Sequence, residues 1–345
     1  MVFNATSASI IDRELDLNPH IILYRQLLFA GVGFALGIAG YVLGYQWLLR
    51  WSTPILAAVT VLLVAVFLPG IGQKVNGAYR WLHIAGFSFQ PSECAKVAIP
   101  LFFIRWVTEQ KKIEWKAFFK ILGLLAVPGS LILVEPDNGT VVLLFLTMVT
   151  LFWLSRISLK LWGFPLLGLI LLGGAVASQM PHVPGRIQVY LHPELDLRGK
   201  GHQPHQAKIA AGSGGFFGRG FGESLQKLNY LPEARNDYIA AIYAEETGFL
   251  GMILLIGLYG AIVYAGCSIA ILCPDRRGFL LASVLTFLIS IQAFLNLGIV
   301  SGLLPSKGMT LPFFSQGGTS LMVHIASIFL LLDISRRKYL LNKRT

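Results

Sequence analysis

Nine stretches of this chain run apolar over close to the roughly 20 residues that a helix needs to cross a hydrocarbon core about 30 Å thick. They fall at 21–44, 53–70, 91–108, 117–134, 139–155, 161–180, 238–271, 279–300 and 319–334. The 238–271 stretch exceeds one crossing and is interrupted by Glu245-Glu246-Thr247-Gly248. Water cannot solvate so much apolar surface, and the composition leaves little to cover it. Only 13% of residues are charged and 55% are hydrophobic, against roughly 25% charged in soluble domains. An ordinary soluble enzyme, a disordered chain and a collagen-like fibre are excluded. The strands of a membrane barrel would alternate apolar and polar residues, and these runs do not. The expected fold is an all-α polytopic helical bundle of about nine spans, a single membrane domain over 1–345.

The 28 Lys and Arg outnumber the 17 Asp and Glu by 11. This excess is not read as nucleic-acid binding, because membrane proteins concentrate Lys and Arg in cytoplasmic connections. One set of connections holds Arg50; Arg105, Lys111, Lys112, Lys116 and Lys120; Arg156 and Lys160; and Arg276 and Arg277. The tail over 335–345 adds Arg336, Arg337, Lys338, Lys343 and Arg344, whereas the opposite short connections hold only Lys74, Arg80 and Lys307. The C-terminus is therefore expected in the cytoplasm. The long connection over 181–236 then lies outside, yet it carries Arg186, Arg198, Lys200, Lys208, Arg219, Lys227 and Arg235. Orientation signals do not account for a basic outer loop, which points to an anionic ligand. Cys94, Cys267 and Cys273 are odd in number and lie in or near apolar runs, so neither a disulfide framework nor a zinc site is expected.

The outer connections carry the motifs. They read VNGAYRWLHIAGFSFQPSECAK (75–96), VEPDNGT (134–140), GRGFGESLQKLNYLPEARNDYIAAIYAEETG (218–248) and GLLPSKGMTLPFFSQGGTS (302–320). In this order, over about residues 20–335, they resemble the SEDS family of cell-wall polymerases, which includes FtsW, RodA and SpoVE. The family's forms are NGA-RW with FQPSE-AK, EPD-GT, QKL-YLPEAHTDFIFA with EE-G, and LPTKGLTLPFISYGGSS. The QKL-YLPEA and PSKGMTLPF forms look more like the division-type FtsW than the elongation-type RodA. The resemblance implies polymerisation of lipid II into peptidoglycan strands at the outer face of the cytoplasmic membrane. It also implies work beside a class B penicillin-binding protein that crosslinks the strands, among other division proteins and membrane lipids. The family has ten spans, starts in the cytoplasm, and commonly ends its first span with a string like MV-SAS. This chain begins MVFNATSAS, so Met1 is expected to align with the outer end of a first span that is missing, through truncation, a misassigned start or natural loss.

Glycosyl transfer from a lipid diphosphate needs a base for the acceptor hydroxyl and cations for the leaving diphosphate. One carboxylate near cations suffices, unlike the paired carboxylates of glycoside hydrolases. Asp237 is the candidate base. It stands where the outer loop meets the seventh span, where a carboxylate is costly and usually functional, and the resemblance matches it to the catalytic Asp of HTDF. Its alternative role is to cap the helix with Asn236. Arg235 and Asn236 depart from the family's His and Thr, so the surroundings of the base are expected to differ.

Glu93 and Lys96 share one helix face and either line a substrate cavity or hold helices together as an ion pair. Arg80 either touches diphosphate or glycan, or sits with Trp81 as an interfacial anchor. Arg186, Lys227 and Lys307 are cations for diphosphate, with lipid headgroup contact as the alternative. Glu233 is read as orienting the Asp237 segment, and Glu245 and Glu246 as satisfying interior polar contacts. Ser320, with Ser315 and Thr319, binds an anion at a helix start or merely caps it. The run GSGGFFGRGFG (212–222) reads as a flexible or re-entrant turn. His202 and His205, with His182 and His192 upstream, do not make a zinc set. No dedicated cofactor site is expected, although a divalent cation (Mg or Mn) on the diphosphate is chemically compatible. A lipid II transporter or a non-enzymatic division scaffold would share several of these features. The crowding of polar motifs toward the outer face favours the enzyme.

Overall fold

The computed structural model describes residues 19–75, 78–84, 87–178, 190, 192–196, 201–226, 236–305 and 307–342. Among them are eleven α-helices: α1 Pro19–Leu43, α2 Tyr45–Arg50, α3 Ser52–Ala65, α4 Pro91–Glu109, α5 Trp115–Val134, α6 Asn138–Leu154, α7 Leu159–Ser178, α8 His202–Ser213, α9 Ile239–Ile271, α10 Arg276–Val300 and α11 Gly318–Asn342. Each of the nine apolar stretches contains one of these helices. Among the described residues five helices are long and apolar enough to cross a bilayer, and α3 and α6 are shorter apolar helices. The chain is a multi-pass, all-α membrane protein.

Two features go beyond the sequence reading. The motif connection after α3 folds into a small antiparallel sheet of β1 Gly72–Val75, β2 Ala78–Ile84 and β3 Phe87–Phe89, in that order. Its register pairs Gln73 with Trp81 and Leu82 with Phe89, and a bulge lies between Gln73 and Lys74. β-branched and aromatic residues favour these strands, and the intervening Asn76-Gly77 and Ala85-Gly86 fall outside the described residues. The second feature is α8, a helix within the connection read as a loop over 181–236.

The chain divides into two compact units. In the unit formed by 27–157, 261–291 and 317–345, α4 is the hub, packed by α2, α3, α5, α6, α11 and β2. It is also the span that carries Glu93, Lys96, Arg105 and Glu109. Of these, Glu93 and Lys96 are buried, as lipid demands of ionisable groups within a span, while Leu27, Leu36, Leu124, Leu133 and Phe145 on other helices stay exposed. The basic residues of the expected cytoplasmic side also close helix ends, whose last carbonyls lack partners within the helix. Arg105 donates to Arg50 O at 2.6 Å and Arg276 to Ser155 O at 3.1 Å.

In the unit formed by 1–26, 158–260 and 292–316, α9 is broken where the sequence interrupted its apolar run. Gly248 sits at φ 67° and ψ −160°. The break is matched by the glycine-rich run. The amides of Arg219 and Gly220 donate to the carbonyls of Glu245 and Glu246, and those of Phe249 and Leu250 donate to Gly215 O and Phe216 O. Backbone groups in hydrocarbon must find internal partners, and this segment supplies them. A Cβ on Gly218 would lie 2.2 Å from Glu246 O, so the close approach requires glycine there.

Candidate active site

Asn236, Asp237 and Tyr238 form the turn that opens α9. Tyr238, Ile239, Ala240, Ala241 and Ile242 behind them are all buried, so the apolar start of the helix fixes the carboxylate's position. The segment 307–315, KGMTLPFFS, closes around this turn. Asn296, on α10, donates from Nδ2 to Asp237 O at 2.8 Å and to Met309 O at 2.6 Å. Ser315 Oγ donates to Asn236 O at 2.6 Å and accepts from Leu311 N at 2.7 Å. Gln292 holds Thr310 through its carbonyl at 2.9 Å and its hydroxyl at 3.1 Å. Tyr259 donates to Pro312 O at 2.5 Å. These bonds hold Phe313 at φ 63°, a conformation that a bulky residue adopts only under constraint.

The half-buried Asp237 carboxylate faces Gly308, where a Cβ would come 3.0 Å from Oδ2. Lys307, one residue away, is exposed. A carboxylate and a cation are thus presented from one loop-and-turn assembly.

Arg80, Glu93, Lys96 and Ser320 belong to the other unit. Arg80, on β2, donates from Nε to Glu135 O at 3.0 Å and from Nη2 to Pro136 O. It therefore ties the sheet to the end of α5. Glu93 and Lys96 form an ion pair at 2.6 Å with side chains 8% and 4% exposed. The Lys96 charge acts on buried His324 of α11. Ser320 lies one turn before His324, with Oγ 3.3 Å from Nδ1. Arg186, Lys227 and Glu233 lie outside the described residues, as does Arg235.

Several polar residues were not singled out from the sequence. Asp137 caps α6 through Thr140 N at 3.3 Å and accepts from Gln90 Nε2 at 3.2 Å and Ser92 Oγ at 3.1 Å. Gln90 N donates in turn to Thr319 Oγ1 at 3.0 Å. Glu135 is fully buried, and among the described residues neither of its oxygens accepts a hydrogen bond. Burial, and then the Asp137 charge, push its carboxyl up to about 8 against the pull of Arg80. The signal for Asn296 and Gln292 was present: two amides four residues apart in an apolar run share one helix face. Among the described residues, no group of three or more His, Cys, Asp or Glu side chains is placed to hold a metal ion.

The family model described as "Cell cycle protein", for FtsW, RodA and SpoVE, matches residues 1–340. The chain belongs to the FtsW/RodA/SpoVE family. It is 37% identical to the probable peptidoglycan glycosyltransferase FtsW of Trichlorobacter lovleyi, over 97% of this chain and 88% of that one. Stage V sporulation protein E of Bacillus subtilis is also 37% identical, over 97% and 92% of the two chains. Among solved structures, a chain from work on "structural coordination of polymerization and crosslinking by a peptidoglycan synthase complex" superposes with a TM-score of 0.78 at 26% identity, covering 98% of this chain and 94% of that one. The rod shape determining protein RodA of Thermus thermophilus superposes at 0.70, also at 26% identity, covering 98% and 92%.

Proposed function

We propose that this chain is a peptidoglycan glycosyltransferase that polymerises lipid II into glycan strands during septal wall synthesis, with Asp237 as its base. The observation that carries the reading is the Asp237 carboxylate, half-buried at the start of α9 and seated against Gly308 beside the exposed Lys307. The FtsW-named relatives support the reaction and the division role. In the step, Asp237 takes the proton of the acceptor sugar hydroxyl as that oxygen attacks the donor's anomeric carbon. The new C–O bond forms while the bond to the lipid diphosphate breaks, and the diphosphate leaves with the electron pair. Cations at the site stabilise the charge that develops on it. Lys307 is assigned that role here, with Lys227 and Arg186 as its proposed companions.

Arg80, Glu93, Lys96 and Ser320 are proposed as substrate contacts, and Glu233 as orienting the segment that leads to Asp237. A divalent cation, Mg or Mn, would accompany the donor's diphosphate. The described side chains offer it no cage. The reading puts the site at the outer face of the cytoplasmic membrane and the C-terminus inside, supported by the Lys and Arg distribution. It takes a class B penicillin-binding protein as partner, supported by the similarity to a chain of a peptidoglycan synthase complex.

The test is reconstitution of the full chain with lipid II and that partner. Wild type is expected to make glycan polymer and Asp237→Ala none. No polymer from wild type overturns the enzyme reading in favour of a transporter or scaffold. Equal polymer from both overturns the assignment of the base.

A further inference from the structure

The carboxylate of Glu245 lies two helical turns beyond Asp237 on α9 and is 1% exposed. An acid so deep in a membrane protein needs a reason. The reaction as proposed above makes no use of this group. Its contacts supply the reason. Ser224 Oγ donates to Oε2 at 2.5 Å, Leu225 N to Oε1 at 3.1 Å and Gln226 N to Oε2 at 3.3 Å. Arg219 Nε stands 3.6 Å from Oε1. Three donors from consecutive residues converge on one carboxylate. This is a nest-like arrangement, in which an anion organises successive backbone amides, and here the protein supplies the anion itself.

The anchor is reinforced from below. The carbonyls of Glu245 and Glu246, freed by the break at Gly248, receive the amides of Arg219 and Gly220. Main chain and side chain of Glu245 therefore bind the same connection at two places, residue 219 and residues 224–226. The block 239–247 and this connection are thus joined by bonds separate from that of Asn296 to Asp237 O and that of Ser315 to Asn236 O.

We propose that Glu245 is a positioning residue for glycosyl transfer, fixing the backbone of Ser224–Gln226 against the helix that begins beside Asp237. This rests on Asp237 being the base of that reaction. Glu245 touches neither substrate nor base. It sets where the connection lies when the lipid-linked donor arrives, so its loss raises the KM for donor while the pH dependence set by the base stays in place.

The decisive variant is Glu245→Gln, which keeps shape and one acceptor oxygen but cannot serve three donors. With full-length protein, its partner and lipid II, KM is expected to rise by on the order of 10-fold, as for a misplacement of under about 1 Å. The pH–rate profile should keep its wild-type limbs. Ser224→Ala should give a smaller rise, and the double variant should be no worse than Glu245→Gln alone, because both remove one contact. Hydrogen exchange at the Leu225 and Gln226 amides should speed up in Glu245→Gln while 239–244 stays protected. That measurement needs no turnover, so it tests the anchor even if the reaction assigned to the chain is wrong. Wild-type KM, additive losses, or unchanged exchange at 225–226 would each overturn the proposal.

Discussion

Asn296 donates to the carbonyl of Asp237 at 2.8 Å and to that of Met309 at 2.6 Å, from a side chain that is 1% exposed. A single amide nitrogen thus joins the turn that carries the candidate base to the loop that carries Lys307. Replacing it leaves two inward-facing carbonyls without this donor, and an unsatisfied buried group costs about 1–3 kcal/mol. Asn296→Ala is expected to lower Tm in detergent and to cut polymerisation by on the order of 10- to 100-fold, as misplacement of a reacting group does. Asn296→Asp retains the volume but not the donor and should fare no better. Full activity in Asn296→Ala would show that the loop holds its place without this link.

Glu93 and Lys96 approach within 2.6 Å in a nearly dry environment on α4. Removing one partner of such a pair strands the other charge, at a cost of about 3–5 kcal/mol. Lys96→Met should therefore express poorly or melt early. Glu93→Leu combined with Lys96→Leu should recover most of the lost stability, because apolar replacement of a buried pair is often neutral. Activity separates the two readings of the pair. A helix-holding pair predicts that the double variant recovers polymerisation along with stability. A substrate-lining pair predicts recovered stability with activity still lost.

The spans were legible because lipid demands long apolar helices, and each of the nine runs contains a helix. The interruption at 245–248 was legible too, since a glycine after two acids breaks an apolar run for a reason, and Gly248 is where α9 departs from helical geometry. What complements the break was not legible. The pairing of Arg219 and Gly220 with Glu245 and Glu246 joins residues over 20 positions apart, and no local pattern encodes it. The sheet over 72–89 was hidden for a different reason. Its strands of 4, 7 and 3 residues are too short for a periodic signal. Around the candidate base, Asp237 and Lys307 stood out by charge, whereas Asn296 is uncharged and draws its role from a backbone carbonyl 59 positions away.

Glu135 gives the molecule a pH-dependent weakness at the end of α5. Its carboxyl is raised from 4.5 to about 8, first by burial and then by Asp137. The folded state therefore holds this proton more tightly than the unfolded chain does. The resulting stabilisation is fully present below about 4.5 and is lost as pH rises through about 8. Wild-type Tm should fall between about pH 5 and pH 8 from this group and level off above that. Glu135→Gln, which is neutral throughout, should flatten that decline and be the more stable protein at pH 9. Parallel Tm curves for the two across that range would contradict the assignment.

Gly308 offers the sharpest probe of the site, because the added group is one methyl and the neighbour is the base itself. A Cβ there would stand 3.0 Å from Asp237 Oδ2 and 3.8 Å from its Cγ. The first distance is tight, and what must give, by a few tenths of an ångström, is a side-chain oxygen rather than backbone. The fold should therefore accept Gly308→Ala with little change in Tm, while the carboxylate is displaced by a few tenths of an ångström. Catalysis is far less tolerant than folding of such a shift, since proton transfer needs the base within about 2.6–3.2 Å of the hydroxyl it serves. The expected result is a kcat lowered by on the order of 10-fold, KM for the lipid-linked donor near wild type, and intact assembly with the partner. A drop in Tm with no change in kcat would mean that Gly308 serves the loop's own packing and that the carboxylate beside it takes no part in the reaction.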